Sequence, residues 1–356
     1  MDRLDKSIDG LHRASIWGLQ AGVAAYVLTA VTGFLRITSI CPCLAFLLFF
    51  IIGSAVAAFI ATLEIKPEGK AVLVTGCDSG FGYHLALRLE KLGFVIFAAC
   101  LDKNGDGAKK LKKEGGDKLI PVQMNVTSDE QIASTLDEVT EELNKRGING
   151  LWGLVNNAGL STFGHIEWIS ENDSRKVMEV NTWGVVKATK AFLPLIRRAS
   201  GRVVNVTSAL GRFSSLGRSS YGMTKHAIEA FSDVLRFEIR RFGVHVSIVE
   251  PGNFIAATSL YSMDAVKAHS SRMWNAMSDE LKNAYGEDYY NQVFKNMVDY
   301  TTKGPTDLEP ALLCLTQPLV QTFPAPRYQP MELDWKIRCL VQTHLPEWIY
   351  ERIYIN

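Results

Sequence analysis

The stretch AVLVTGCDSGFGYHLALRLEKLGFVIFAACLDK, residues 71–103, decides the fold. It opens on an apolar, β-rich run, Ala71–Thr75, whose length suits a buried strand better than a buried helix. Gly76, Gly80 and Gly82 follow at the spacing TGxxxGxG, a helical pattern begins near Tyr83, and Phe94–Ala99 is a second β-rich run. In a strand, glycine turn and helix of this kind the backbone bends sharply and approaches a pyrophosphate seated on the helix N-terminus. The segment therefore predicts a dinucleotide turn supplied by Gly76, Cys77, Asp78, Ser79, Gly80, Phe81 and Gly82.

Further β-rich runs occur at Ile120–Met124, Gly153–Val155, Arg202–Val206 and His245–Val249, separated by amphipathic stretches such as Asp129–Asn144, Ser174–Arg198 and Tyr221–Phe242. Fully apolar strands alternating with helices predict an α/β fold: a Rossmann-type, doubly wound parallel sheet with helices on both faces, over residues 71–316. Within it, residues 259–303 are rich in Met, Tyr, Trp and Asn, as a helical substrate lid would be. Residues 317–356 mix Pro324, Pro326, Pro330 and Pro346 with aromatic side chains, a segment suited to packing on the sheet or to contacting lipid.

Upstream, residues 64–70 (EIKPEGK) read as a linker. Ser15–Leu35 and Ile37–Leu63 carry no charge, with Arg36 between them. Each run exceeds the ~20 residues that cross a hydrocarbon core. Residues 15–63 thus predict a transmembrane helical hairpin that turns near Arg36, Thr38 and Ser39, with Pro42 opening the second span. The polar residues 1–14 hold Asp2, Asp5 and Asp9 against Arg3, Lys6 and Arg13, unlike an Arg-rich, acid-poor presequence.

The chain has 356 residues, and its 38 Lys+Arg against 37 Asp+Glu give no basic field for nucleic acid. Six scattered cysteines form no paired CxxC, and the seven histidines form no HxH or HxxxH array, so no metal is expected.

The coenzyme can be read from the end of the second strand, where an acid would hold a ribose 2′-hydroxyl. Cys100 stands at that position, and Asp102, two residues on, is the candidate ribose ligand. No Arg or Lys lies in the glycine loop or at Cys100–Asp102 to receive a 2′-phosphate, which favours NAD.

Catalysis is suggested by Tyr221 and Lys225 in SYGMTK, four residues apart and so on one helical face. An ammonium there favours phenolate over phenol, so the tyrosine can exchange a proton with an alcohol. Ser208 ends the strand GRVVNVTS where active sites of open α/β sheets form, and it can hold the substrate oxygen or cap the next turn. Thr207 could share that role.

Together, TGxxxGxG, NNAG at Asn156–Gly159, Asn181 in VNTWG, Ser208, YxxxK and Pro251–Gly252 resemble the short-chain dehydrogenase/reductase family over roughly residues 69–260. The resemblance implies that Asn156 lies against the adenosine-side ribose and stabilises the sheet, that Ala158 and Gly159 contact the coenzyme, and that Asn181 holds a relay water. It implies Ser208 as substrate orienter, Tyr221 as acid/base and Lys225 as ligand of the nicotinamide ribose. Pro251, Gly252, Phe254 and Ile255 would line the nicotinamide. Asn125, followed by Val126, stands where many members carry Asp beside the adenine, and the usual threonine after Pro-Gly is displaced to Thr258.

Within the family, GLVNNAG, AFLPLIRRA and VEPGNFIAATSLYS resemble the mitochondrial, membrane-associated D-β-hydroxybutyrate dehydrogenases. The CDSGFG loop and the hairpin also resemble the membrane-bound retinol and 17β-hydroxysteroid dehydrogenases. These likenesses imply hydride transfer between NAD and a secondary alcohol or ketone, (R)-3-hydroxybutyrate to acetoacetate first, a retinoid or steroid as the alternative. They also imply a mitochondrial inner membrane location (alternatively the endoplasmic reticulum), membrane lipid such as phosphatidylcholine as partner, and a homo-dimer or tetramer. A substrate carboxylate would need a cationic or amide partner, for which Arg212, Arg218, His165 and Lys267 are candidates.

Overall fold

The computed structural model describes residues 2–35, 40–258, 263–302 and 304–355. The turn expected at Arg36, Thr38 and Ser39 lies outside the described residues, as do 259–262 at the start of the expected lid. The chain divides into two units, residues 1–66 with 320–325, and residues 67–319 with 326–356.

The first unit is built on α1 (Asp2–Phe34) and α2 (Pro42–Ala61). Small residues let the two helices approach closely. A methyl at Gly18 would stand 2.6 Å from the Phe50 carbonyl oxygen, and Ala25, Ala45 and Ala57 are buried. Leu28, Phe34, Leu44 and Phe59 face outward. Ala14–Phe34 and Pro42–Ala61, 21 and 20 residues long, are long and apolar enough to cross a membrane. Beyond α2, the Ile65 N–H donates to Val320 O at 2.7 Å and the Thr322 N–H to Leu63 O at 2.8 Å.

The second unit begins with β1 (Ala71–Thr75), α3 (Gly80–Leu92), β2 (Val95–Cys100), α4 (Asp106–Glu114) and β3 (Leu119–Gln123). It continues through α5 (Asp129–Lys145), β4 (Gly153–Asn156), α6 (Glu171–Met178), a π turn (Glu179–Trp183), α7 (Gly184–Arg198) and β5 (Arg202–Val206). Next come α8 (Ser219–Ile239) and β6 (His245–Val249), then α9 (Met263–Ala276), α10 (Asp279–Tyr285) and α11 (Glu287–Thr302). The last elements are α12 (Glu309–Val320), β7 (Arg327–Tyr328), α13 (Leu333–His344) and α14 (Glu347–Tyr354).

All seven strands run parallel in the order β3-β2-β1-β4-β5-β6-β7. The expected doubly wound parallel sheet is therefore what the chain forms. Pro121 sits on the edge strand β3, where a missing ladder donor is tolerated. On one face Leu73, Phe97, Leu154, Val203 and Val246 pack under Val139, Phe192, Ile196 and Leu235 of α5, α7 and α8. Each such burial contributes about 1.5–3 kcal/mol.

The strand order reverses between β1 and β4. At such a switch point the flanking loops part and leave a crevice at the carboxyl ends of the strands. α9–α11 form a helical excursion with its own core of Trp168, Val266, Met273, Tyr290 and Met297. The Pro-rich tail packs on the sheet through β7, whose Tyr328 is fully buried.

Candidate active site

The glycine loop follows β1. Gly76 adopts φ +70°, and a Cβ there would stand 2.8 Å from Ala158 Cα. Gly82, in the first turn of α3, lies even closer to the backbone: its Cβ would meet the Gly76 carbonyl oxygen at 2.2 Å. Two glycines therefore let the α3 N-terminus, with its outward N–H groups, close onto the β1 end. This is a cradle shaped for a pyrophosphate, and the residues present fit a dinucleotide.

Asn157 holds the cradle. Its Nδ2 donates to Thr75 O at 2.8 Å and Gly76 O at 3.1 Å, and its backbone N–H donates to Thr75 Oγ1 at 3.0 Å. Asn156, expected against the ribose and as a stabiliser of the sheet, is buried and lies outside the cavity lining, donating to Thr189 Oγ1 at 3.0 Å and Asn205 Oδ1 at 2.8 Å. It ties β4 to β5 and α7. The NNAG pair thus splits its work, and the only sequence signal for Asn157 was its adjacency to Asn156.

A cavity of about 970 Å3 runs from this loop to α8. Of the expected coenzyme residues, Gly76, Asp78, Ser79, Gly80, Phe81, Asn125, Val126, Ala158, Gly159, Pro251, Gly252, Phe254 and Ile255 line it, with Tyr221 and Lys225. Cys77, Gly82, Asn156 and Asp102 do not.

Asp102 lies outside the cavity lining. It is exposed and turns its Oδ1 to the Asn104 N–H at 2.9 Å. Asp78 stands at the cavity instead, accepting the Leu101 N–H through both oxygens at 3.0 Å. The acid next to the end of β2 comes from the glycine loop rather than from β2 itself. Cys100 is buried with its thiol pushed up to about 12 by burial and by Asp78 and Asp102, so it is a neutral packing residue. Asn125 accepts from the Thr127 N–H at 3.0 Å and Thr127 Oγ1 at 2.9 Å, and the displaced Thr258 lines the cavity opposite Gly80.

At the other end, Tyr221 and Lys225 lie on α8, with the Lys225 ammonium 5.6 Å from the Tyr221 ring centroid. Lys225 Nζ donates to Val206 O at 3.0 Å, at the end of β5. Burial pulls Lys225 down to about 8, and Glu229 one turn further partly opposes that. Asn181 lies in the π turn, a feature common at functional sites because it re-aims one side chain. Its Oδ1 accepts the Leu160 N–H at 2.8 Å, and its Nδ2 donates to Leu160 O at 2.8 Å and Thr224 Oγ1 at 3.1 Å. A methyl at Gly159 would stand 3.3 Å from Asn181 Oδ1 and 3.9 Å from Lys225 Nζ, so both groups converge on one point. Ser208 Oγ accepts the Leu210 N–H at 3.2 Å, capping a short turn while lining the cavity. Thr207 donates to Val249 O at 3.2 Å and also lines it.

Beneath this wall Glu229, Glu250 and Arg327 meet. Arg327 pairs with both glutamates and with Asp233 at 2.6 Å, and Arg212 reaches Glu250 at 3.3 Å. Arg327 is shared by three acids, so burial and the charge of Glu250 still push Glu229 up to about 7.

The family model for the short chain dehydrogenases matches residues 70–263. The chain is 47% identical to mitochondrial D-beta-hydroxybutyrate dehydrogenase of Bos taurus over 297 residues, 82% of this chain and 86% of that one. It is 38% identical to retinol dehydrogenase 7 of Rattus norvegicus over 287 residues, 80% of this chain and 88% of that one. A short-chain dehydrogenase from Streptomyces avermitilis superposes with a TM-score of 0.61 at 27% identity, covering 75% of this chain and 89% of that one.

Proposed function

The chain belongs to the short chain dehydrogenase family, a nicotinamide-dependent oxidoreductase acting on CH–OH groups, and from that premise we propose that it interconverts (R)-3-hydroxybutyrate and acetoacetate with NAD. The observation that carries the substrate is the identity to the bovine hydroxybutyrate dehydrogenase, 47% against 38% for the retinol dehydrogenase, each spread over four-fifths or more of the chain.

The choice of NAD rests on the Asp78 carboxylate, which lines the cavity against the Leu101 N–H. A carboxylate there repels the 2′-phosphate of NADP, whereas a ribose hydroxyl can donate to it.

In this reaction the bound nicotinamide ring supplies the hydride acceptor. The chain's own residues do the rest. Tyr221 takes the proton of the substrate hydroxyl. Lys225, anchored to Val206 O, favours phenolate while charged and offers its remaining donors to a ribose hydroxyl. Asn181, clamped at both ends of its amide by Leu160, fixes the backbone beside Gly159 so that a water there can pass the proton outward. Ser208 presents its hydroxyl to the carbonyl that forms. Two apolar helices of 20 and 21 residues support attachment of the enzyme to a membrane, with lipid as partner. The assembly we propose is a homo-oligomer.

The test is protein reconstituted in phosphatidylcholine and assayed with NAD and with NADP against (R)-3-hydroxybutyrate, a retinol and a steroid. The expected result is turnover of the hydroxy acid with NAD. Turnover of retinol or steroid without the acid overturns the substrate.

A further inference from the structure

Glu229 is a buried carboxylate outside the cavity lining, one turn along α8 from Lys225. Four residues apart, the two side chains share one helical face, with Cβ atoms ~5–6 Å from each other. They are 6% and 7% exposed. The turn that Ser208 caps closes over the pair. A Cβ at Gly211 would stand 3.1 Å from Glu229 Cγ and 3.2 Å from the Lys225 carbonyl oxygen. Glu229 therefore sits behind the cavity wall that carries Ser208, Tyr221 and Lys225.

The charges that face Glu229 come from several elements. Lys225 and Asp233 lie on α8, Glu250 follows β6, and Arg327 lies on β7. On α13 the Cys339 thiol is pushed up to about 11 by burial and so stays neutral. Arg327 pairs with Glu229, with Glu250 at 2.5 Å and with Asp233 at 2.6 Å. The other two acids have further partners. Arg212 reaches Glu250 at 3.3 Å and Gln329 Nε2 donates to it at 2.6 Å, while Arg236 pairs with Asp233 at 2.7 Å. On the other side, Lys225 Nζ donates to the Val206 carbonyl at 3.0 Å, and the acid whose charge acts on it is Glu229. A buried ammonium is costly beside a neutral carbonyl and needs an opposite charge.

We propose that Glu229 is a positioning residue of the reaction, whose carboxylate is the counter-charge that keeps the Lys225 ammonium available to Tyr221. The proposal rests on the Tyr221–Lys225 chemistry above and is independent of which alcohol is the substrate. Tyr221 needs a charged Lys225, because the ammonium is what favours phenolate. Burial pulls Lys225 down to about 8 even with Glu229 opposing it, and burial with the charge of Glu250 pushes Glu229 up to about 7. Below about pH 7 Glu229 is protonated, and Lys225 keeps its proton unaided. Above that pH Glu229 is ionised, and its charge holds the proton on Lys225 over the range where burial would remove it. Glu250 and Arg327 set this threshold from the far side, Glu250 raising it and Arg327 lowering it.

The experiment records kcat against pH, at saturating NAD, for full-length wild type, Glu229→Gln and Glu229→Asp in phosphatidylcholine vesicles. The probe is (R)-3-hydroxybutyrate, or the retinol or steroid if wild type oxidises that instead, so failure of the substrate reading leaves the test intact. Binding of NADH, followed by fluorescence, reports folding. In Glu229→Gln the alkaline limb, where Lys225 loses its charge, should move down by about one pH unit, a tenfold weaker hold on the proton. Its rate should meet that of wild type below about pH 7, where Glu229 is already neutral. Glu229→Asp, which keeps the charge but draws it back by one methylene, should shift the limb in the same direction by less. An unmoved limb, or a loss of rate equal at every pH, overturns the proposal. If Glu229→Gln does not bind NADH, Glu229→Asp carries the test, and an alkaline limb left in place overturns it. A Tyr221→Phe enzyme that keeps the wild-type rate removes the chemistry itself, and the proposal with it.

Discussion

At the scale of single residues, the site places a cation where its charge is costly. The folded chain releases the Lys225 proton near 8, whereas an exposed lysine holds it to about 10.5. Between these values the unfolded chain binds more protons, so stability rises with pH across that window. Below it, burial of the charged amine opposes folding by about 3 kcal/mol. Lys225→Met removes the titrating group. Its melting temperature should exceed that of coenzyme-free wild type at pH 7, with the gap closing as pH rises from about 8 to about 10. A pH-independent gap would refute the assignment. Bound coenzyme should oppose this pattern by giving the ammonium hydroxyl partners.

Elements show what the sequence made legible and what it concealed. Gly82→Ala pushes a methyl onto the Gly76 carbonyl oxygen, so α3 can no longer close on β1. We expect coenzyme affinity to fall at least about tenfold, ~1.4 kcal/mol, measured by NADH titration. Unchanged affinity would mean the helix does not form the cradle. β7 makes a second test. Arg327→Met leaves Glu229 and Glu250 buried without their shared cation, a change expected to destabilise by about 3 kcal/mol in denaturant melts. A loss below about 0.5 kcal/mol, as for an exposed pair, would contradict a buried clamp.

The six longer strands were readable because each is an apolar run bounded by glycine or polar turns. β7 was not, because two residues among Pro324, Pro326 and Pro330 carry no periodicity. The π turn was hidden inside Ser174–Arg198 because a one-residue expansion hardly disturbs a helical pattern. Counting from Gly76 to the end of β2 leads to Cys100, and Asp102 is the acid two residues beyond it. Asp78 takes the place beside Leu101 because the glycine loop folds back across the strand end, a contact 23 residues apart in sequence. Adjacency in space of this kind leaves no trace in spacing.

For the molecule as a whole, the cavity lies in the second unit and the two long apolar helices in the first. Along Ala14–Phe34 and Pro42–Ala61, helices long and apolar enough to span a bilayer, large apolar side chains such as Leu28, Phe34, Leu44 and Phe59 face outward. Deleting residues 1–61 should release the enzyme from vesicles in a flotation assay while coenzyme binding persists. Flotation of the deleted chain at the wild-type level would place the membrane contact in the other unit.

The central claim joins one cavity, one tyrosine and one short hydroxy acid. It is tested most directly by the initial rate of NADH formation from (R)-3-hydroxybutyrate, measured side by side for wild type and Tyr221→Phe in phosphatidylcholine, with NADH affinity as control. The account predicts a working wild type and a loss of about 10³-fold or more in Tyr221→Phe at equal affinity. A Tyr221→Phe enzyme that keeps the wild-type rate, or a wild type that leaves this acid untouched, would contradict it.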